Sequence, residues 1–414
     1  MASEQERKAH VVRRLGIGAN PDVVAGITDI PTFIDAQLAN RGASPIPSAL
    51  TALPANISAG KAYEPAWRWW LAQMATNPRL LEERLTWFWH DHFATALSAL
   101  PGSWLLMKQQ ALLRQNAMGN FATMLRSIAR DPAMLAYLDG EWSTFRRVNE
   151  NYARELCELH TIGVGRYTQA DVVAAAKANT GWRINRTGVV DHGVAPFCAY
   201  YDTNLHVAGT QMFLGRSVSN IDDVISVLLD SPYTGRRIAA KLYRRLVGLY
   251  AGDETANALG DLFRGSGYDI MTLVRAIVTS PAFTSDQAIR MQVRTPVEKL
   301  VTVLQALRQS DVTKLGGIGN YQTWFKDMDY RPFFPPNPAG YPKKRELLLS
   351  TASIMNTLHL VKLTAAGIPG TATEVLNRLG LYDVDPSTAA AVGAQLSALG
   401  RMAMAVGSPE FQLS

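Results

Sequence analysis

Apolar and polar residues follow one another along most of this 414-residue chain at the three- and four-residue spacing of amphipathic helices. In the first half the pattern predicts shorter helices that begin at Pro21 and Pro132, and longer ones over about 5–15, 30–39, 63–94, 101–116, 119–130, 148–161 and 168–180. In the second half it predicts helices over about 220–229, 233–249, 253–264, 269–279, 294–308, 345–366, 372–380 and 386–405. The sequence therefore predicts a mostly α fold.

The helical pattern is interrupted in three places. Glycines, β-branched residues and aromatics fill 183–217, which predicts a short β-hairpin-like excursion that contains His192 and His206. Residues 41–60 are rich in Pro, Ser, Ala and Gly and predict an extended surface loop. The many prolines of 309–343 argue against a helix there, and so long a loop indicates a function such as covering a pocket.

Length and composition are those of an ordinary globular protein, with 47% hydrophobic and 18% charged residues and no internal repeat. We predict a single large multi-helix domain over 1–414. Its parts are N-terminal helices and a loop (1–60), the core that holds the site (61–182), the insertion (183–217) and a C-terminal helical half (218–414).

One fourteen-residue stretch, VNENYARELCELHT, holds three carboxylates, an arginine, two amides and a histidine. On a helix, where successive residues turn by about 100°, Glu150, Arg154 and Glu158 share a polar face. Glu155 lies at its edge, and His160 falls among apolar residues. A solvated salt-bridge ladder accounts for the face, because pairs at this spacing contribute about 0.2–0.5 kcal/mol each. The alternative is a carboxylate–arginine cluster in a cleft, where such groups carry out chemistry.

A second chemically rich stretch ends the helical region 63–94. Its histidines His90 and His92 point about 160° apart on a regular helix, so both cannot chelate one ion from a straight helix. One could bind an ion while the other packs. Aromatic residues at helical spacing usually form core, with a sugar-binding pocket as the alternative. Five tryptophans belong to this region: Trp67, Trp69, Trp70, Trp87 and Trp89.

Several stretches resemble, in the same order, the motifs of a bacterial family called "domain of unknown function 1800". The fourteen-residue stretch is similar to the family signature. The other motifs that carry the resemblance are Arg14-Leu15-Gly16-Ile17-Gly18-Ala19, Trp87-Phe88-Trp89-His90-Asp91-His92-Phe93, Tyr167-Thr168-Gln169-Ala170-Asp171-Val172 with Thr180-Gly181-Trp182, His206 with Gly209 and Leu214-Gly215, and Ser408-Pro409-Glu410-Phe411-Gln412. The resemblance covers nearly the whole chain and implies membership, but it implies no particular reaction. Val207 and Gln211 stand where the family pattern has Asp and Lys.

The first functional hypothesis is an enzyme with its site between the tryptophan–histidine helix (85–93) and the signature helix (148–161). Imidazole and carboxylate ligands together suit a divalent metal such as zinc, iron or manganese. The candidate metal ligands are His90, His92, His160 and, from its loop, His206. The candidate catalytic residues are Glu150, Arg154, Glu155 and Glu158. The sequence has none of the familiar zinc-protease, phosphate-loop, serine-hydrolase or di-iron motifs.

Two other hypotheses stay open. The first is a metal-free hydrolase that acts on glycans, with two of the carboxylates as acid and base and tryptophans stacked on sugar rings. The second is a non-catalytic helical scaffold or binding protein, in which the polar helix only stabilises the fold. The scaffold hypothesis predicts that substitution of Glu150, Glu155 or Arg154 lowers the melting temperature and changes no chemistry. An active-site role predicts the opposite, because site residues often reduce stability. A small molecule or a glycan is the expected substrate.

The net charge of +6 comes with a basic cluster in which Arg237, Lys241 and Arg244 share one helical face. No nucleic-acid motif accompanies it, so a solvated or anion-binding face is the better interpretation. Two cysteines exclude a disulfide framework, and Cys157 is expected to be a buried, inert thiol. No run is long and apolar enough to span a membrane, and no secretory h-region occurs near the N-terminus, so we expect a cytoplasmic protein. Nothing in the sequence indicates an oligomeric state.

Overall fold

The computed structural model describes residues 1–54, 63–191, 193–311, 318–342, 345–364 and 367–414. Its helices in the first part of the chain are α1 (Glu4–Leu15), α2 (Pro21–Gly26), α3 (Ile30–Ala39), α4 (Ser48–Thr51), α5 (Glu64–Thr76), α6 (Leu80–His92), α7 (Ser103–Asn116), α8 (Phe121–Ile128), α9 (Pro132–Tyr137), α10 (Asn151–Glu155) and α11 (Gln169–Ala178). Those that follow are α12 (Ile221–Asp230), α13 (Pro232–Val247), α14 (Asp253–Gly265), α15 (Ile270–Val278), α16 (Pro296–Ala306), α17 (Ile318–Asp327), α18 (Arg345–Leu348), α19 (Thr351–Thr364), α20 (Ala372–Arg378), α21 (Pro386–Gly393), α22 (Ala398–Gly407) and α23 (Pro409–Gln412). The prediction of a mostly α fold is confirmed.

Side-chain caps explain where many of these helices begin. Asn20 and Asp131 each accept a backbone N–H in the first turn of a helix that has proline at its start. Thr168 and Asp171 form the reciprocal capping box that their spacing predicts. Two further boxes, at Thr295 and Thr371, start α16 and α20 in the same way. The sequence signals for these helix starts are therefore local and strong.

The predicted excursion consists of two antiparallel hairpins. The strands β1 (Trp182–Ile184) and β2 (Ala199–Tyr201) pair with Trp182 opposite Tyr201. The strands β3 (Gln211–Phe213) and β4 (Arg216–Val218) are joined by Leu214 and Gly215, both at positive φ, as a two-residue hairpin turn requires. His192, which was expected in this excursion, lies outside the described residues.

The prediction for 309–343 was wrong in part, because helix α17 occupies Ile318–Asp327. The prolines that argue against a helix begin only at Pro332, and Trp324 and Phe325 bury their rings in the core. A smaller difference is α4 in the predicted loop 41–60, of which 55–60 lie outside the described residues. The predicted helix 386–405 is two helices, α21 and α22.

Helix α6 is central to the fold, because all of its thirteen residues are buried. Phe88 and Trp89 belong to one hydrophobic cluster, together with residues of α8, α12, α13 and α15. Trp87 belongs to a second, aromatic-rich cluster with residues of α5, α16 and α22. Its polar side chains therefore lie inside the protein. Within the described part of the chain, no helix is both long and apolar enough to cross a membrane.

Candidate functional site

The signature stretch is not one regular helix. Helix α10 continues as a π-helix over Leu156–His160, in which the turns are wider. The Thr161 hydroxyl donates to the Leu156 carbonyl at 2.6 Å, and Gly163, at a φ of 90°, donates its N–H to the Cys157 carbonyl. The predicted helix 148–161 is present over 151–160, and its winding changes after Glu155. Single π-turns often occur at functional sites.

The polar face forms the salt-bridge ladder that the spacing predicts. Arg154 lies 3.0 Å from a Glu150 oxygen and 4.0 Å from a Glu158 oxygen, and about a third of its side chain is exposed. Gln169 of α11 bonds to both Glu150 and Arg154. The Tyr167 hydroxyl donates a short hydrogen bond to Glu158. Glu150 and Arg154 are thus accounted for as surface structure.

Glu155 differs from the other two carboxylates. Burial raises its pKa, and the charge of Glu158 raises it further, while Arg154 only partly opposes them. It makes no hydrogen bond or ion pair with any residue that the structure describes. Burial raises the pKa of the Tyr137 phenol of α9 to about 12, and the charge of Glu155 contributes to this shift. Tyr137 is therefore near Glu155. The surroundings of Glu155 therefore favour its protonated form over its carboxylate.

His92 and His160 bring the ends of the two predicted site helices together, with ring centroids 5.9 Å apart. Lys241 of α13 lies 3.0 Å from Nδ1 of His92 and 3.2 Å from the Leu159 carbonyl. An ammonium group has no acceptor, so Lys241 donates to Nδ1 and the His92 proton lies on Nε2, 3.3 Å from the His160 carbonyl. His92 is a neutral link between α13 and the π-helix.

His160 is the least satisfied of these side chains. It is 1% exposed, and neither ring nitrogen has a hydrogen-bond partner among the residues that the structure describes. Phe93 packs against its ring at 5.1 Å between centroids. Burial lowers the pKa of His160 to about 3, and the charges of Lys241 and Arg237 act in the same direction. The imidazole is therefore neutral.

His90 lies in the aromatic cluster, away from the signature stretch. Its ring stacks on Trp87 at 5.7 Å and meets Trp70 edge-on at 5.1 Å. Burial lowers the pKa of His90 to about 4, although the charge of Asp91 opposes the shift. Four of the five tryptophans are buried core residues, which leaves only Trp69 half-exposed and does not favour the sugar-pocket interpretation.

His206 lies at a different place in the fold. Its Nδ1 is 3.0 Å from the Thr180 carbonyl and its Nε2 is 2.9 Å from the Ser219 carbonyl. It lines a cavity of about 650 Å³ beside Trp182 and Tyr201. Both ring nitrogens are engaged by the backbone, so His206 serves the packing of the hairpins here.

These residues do not fit a metal site as they are placed. In the described ranges, no three His, Cys, Asp or Glu side chains converge as metal ligands. Both nitrogens of His92 and of His206 face other groups. Lys241 and Arg237 place positive charge beside His160, which disfavours a cation there. The structure provides no ligand set for the zinc, iron or manganese of the first hypothesis.

Cys157 lies on the π-helix and is fully buried. Burial raises its pKa to about 12, and the charges of Asp171 and Glu158 contribute. Only the thiolate reacts with thiol reagents. We therefore expect excess reagent to label the half-buried Cys198 of the native protein and to leave Cys157 unmodified. Mass spectrometry after labelling identifies the modified site. Rapid labelling of Cys157 in a Cys198→Ala variant would contradict this expectation.

Sequence reasoning did not place Tyr137 at the site, and it named Tyr167 only as part of a family motif. It did identify the basic face of Arg237 and Lys241, but it could not show which element that face contacts. The structure places this face beside the π-helix.

The molecule is thus a mostly helical protein in which Glu155, which has no partner among the described residues, ends α10. The π-helix that follows places His160 beside the basic helix α13. A family model described as "Protein of unknown function (DUF1800)" matches residues 10–413. The chain therefore belongs to this family, as the motifs predict. No curated protein and no solved structure matches it significantly.

Proposed function

We propose that the chain is an enzyme that hydrolyses glycans by acid–base chemistry through Glu155 and Glu158. The observation that carries the proposal is the contrast between these neighbouring carboxylates. Glu155 is half-buried with a raised pKa and has no partner among the described residues. Glu158 accepts a hydrogen bond from Tyr167 and faces Arg154. Two carboxyls whose environments differ in this way are the arrangement in which one acts as acid and the other as base.

Glycosidic bond cleavage needs this pair of groups. Glu155 in its protonated form gives its proton to the leaving oxygen as the bond to the anomeric carbon breaks. Glu158 as a carboxylate either takes a proton from the attacking water or attacks the anomeric carbon itself, according to the separation of the two groups in the complex. Tyr167 and Arg154 are positioning residues, because they contact Glu158 and stabilise its charge.

The test measures release of reducing ends from a panel of neutral and acidic polysaccharides between pH 5 and pH 8. We expect Glu155→Gln and Glu158→Gln to lower the rate at least about 100-fold, since a general acid or base contributes about that much or more. Glu150→Gln is the matched control, because Glu150 lies on the same helix but only forms the surface ladder. It should keep nearly full activity.

Two further outcomes decide between the hypotheses. Activity that survives a chelator supports the proposal, whereas activity lost on chelation and restored by a metal favours the metal-dependent hypothesis. The scaffold hypothesis predicts that Glu155→Gln lowers the melting temperature and changes no chemistry. The proposal predicts an equal or higher melting temperature, because removing a partly buried carboxyl without a partner relieves desolvation. Wild-type protein inactive on every polysaccharide would overturn the proposal.

A further inference from the structure

The basic face of α13 is not fully explained by contacts within the protein. Most arginines of this helix have a visible partner. Arg236 lies 3.5 Å from Asp261, Arg244 lies over the ring of Tyr250, and Arg245 lies 3.6 Å from Asp91. Arg237 is the exception, because it has no ion pair or hydrogen bond with any residue that the structure describes.

Because Arg237 is half-buried, the lack of an ion pair or hydrogen bond is unfavourable for its charge. The guanidinium is half-buried, its Nε is buried without a partner, and burial lowers its pKa. It packs closely under the turn after the π-helix, where a Cβ added to Gly163 would lie 3.0 Å from its Nη1. A partly desolvated cation is stabilised by a nearby anion.

His160 is the second group near Gly163 that has no hydrogen-bond partner within the described part of the chain. It lies inside the electrostatic range of both Arg237 and Lys241. Both of its ring nitrogens are buried and unsatisfied, although a neutral imidazole offers one donor and one acceptor. Buried polar atoms in native proteins are nearly always hydrogen-bonded to protein, water or a ligand. His160 and Arg237 are thus two polar groups near Lys241 whose hydrogen-bonding capacity the described residues leave unused.

We propose that Arg237, His160 and Lys241 form a binding site for an oxyanion, such as a phosphate, sulfate or carboxylate group of a ligand. The planar guanidinium of Arg237 presents paired N–H donors that match two oxygens of such a group. His160 contributes one ring N–H, and Lys241 contributes positive charge. The site shares the π-helix with Glu158, but binding there does not depend on hydrolysis.

The first experiment titrates the full chain with inorganic phosphate by isothermal calorimetry, at an ionic strength kept constant with sodium chloride. Parallel titrations use sulfate and glucuronate, which separate tetrahedral anions from a sugar carboxylate. We expect saturable binding of at least one of them. Arg237→Gln should weaken it at least tenfold. Arg236→Gln, which removes the same charge from the neighbouring position, should leave it within about twofold.

Imidazole nitrogen chemical shifts provide a second readout that does not depend on a substitution. Saturation with the bound anion should shift the His160 signals and leave those of His90 unchanged, because His90 lies in the aromatic cluster. Heat that does not saturate, or equal weakening in Arg236→Gln and Arg237→Gln, would show only a general charge effect and overturn the proposal. Binding in the absence of glycan hydrolysis would leave this inference intact while the proposed function fails.

Discussion

Replacing Arg114 by methionine is expected to lower the free energy of unfolding by about 3–5 kcal/mol, the range seen when one partner of a buried ion pair is removed. The Arg114 guanidinium lies 2.8 Å from Glu82 and 2.6 Å from Glu83, and all three side chains are at most 2% exposed. Burial alone would lower the pKa of Arg114, but its hydrogen bonds to Glu83 and Glu82 raise it overall.

Two carboxylates lose their main cationic partner in this variant. Glu83 keeps only neutral donors, from Trp70 and Asn77. Glu82 keeps Arg79, whose guanidinium is partly exposed, and neutral donors. A methionine fills much of the arginine volume, so little cavity is left. The loss of unfolding free energy therefore comes mainly from the uncompensated charge of Glu82 and Glu83. Chemical denaturation at neutral pH, followed by tryptophan fluorescence, measures the difference.

Arg275→Met is the matched control for the loss of an arginine. Arg275 pairs with Asp35 at 2.8 Å, but both side chains are more than half exposed. Such pairs contribute about 0–1 kcal/mol. Adding Glu82→Gln and Glu83→Gln to Arg114→Met should restore part of the stability, because neutral amides need no counter-charge. A loss below about 1 kcal/mol for Arg114→Met would show that this network does not stabilise the fold.

The helices were predictable because their signals are local. Asn20-Pro21, Asp131-Pro132 and Thr168 with Asp171 start helices by contacts within a single turn. Helix α17 was missed because the prolines of 309–343 were taken to exclude a helix from the whole segment. All of these prolines follow α17 in the sequence. The sequence predicted a hairpin-like excursion over 183–217, but not that it consists of two hairpins. The second hairpin turns at Leu214 and Gly215, which have positive φ.

The π-helix could not be predicted from its residues. Its Leu159 carbonyl accepts a hydrogen bond from Lys241, which lies 82 residues further along the chain. Leu159 belongs to the last turn, whose carbonyls have no partner inside a helix, so a distant residue supplies the donor. The sequence predicted a helix in this stretch but not the change of winding within it.

The chemistry of the candidates was equally dependent on distant residues. Sequence spacing placed Glu155 at the edge of the polar face, but it could not show that burial and the charge of Glu158 raise the pKa of that carboxyl. The sequence suggested His90 as a metal ligand. In the fold, its ring packs against the rings of Phe333 and Tyr341, which lie more than 200 residues further along the chain. Burial of this kind is a tertiary property that one sequence does not reveal.

Replacing Lys299 by methionine is expected to stabilise the protein, and by more at pH 6 than at pH 9. Lys299 of α16 is completely buried and lies 2.9 Å from Thr357 and 3.5 Å from Ser353, with no carboxylate partner among the described residues. Burial, and then the charge of Arg294, lower its pKa to about 7. In the unfolded chain the pKa of lysine is about 10.4.

The sign of the pH dependence follows from proton binding. Between pH 7 and about pH 10 the unfolded chain holds a proton on Lys299 that the folded protein has largely released, so the stability of the wild type rises with pH across this window. Below pH 7 the folded protein bears the full desolvation penalty, about 4–5 kcal/mol from the difference in pKa. Methionine removes that penalty but also two hydrogen bonds worth about 1 kcal/mol each.

We therefore expect Lys299→Met to gain about 2–3 kcal/mol at pH 6 and little or nothing at pH 9, measured by urea unfolding at both values. Lys362→Met on the neighbouring helix α19 is the matched control, because Lys362 is exposed and its loss should have a small effect that does not change with pH. An equal effect of Lys299→Met at both pH values would mean that the folded protein keeps the lysine charged. A stabilising anion or an undescribed partner would then have to compensate for its burial, since two hydroxyls alone do not solvate a buried ammonium.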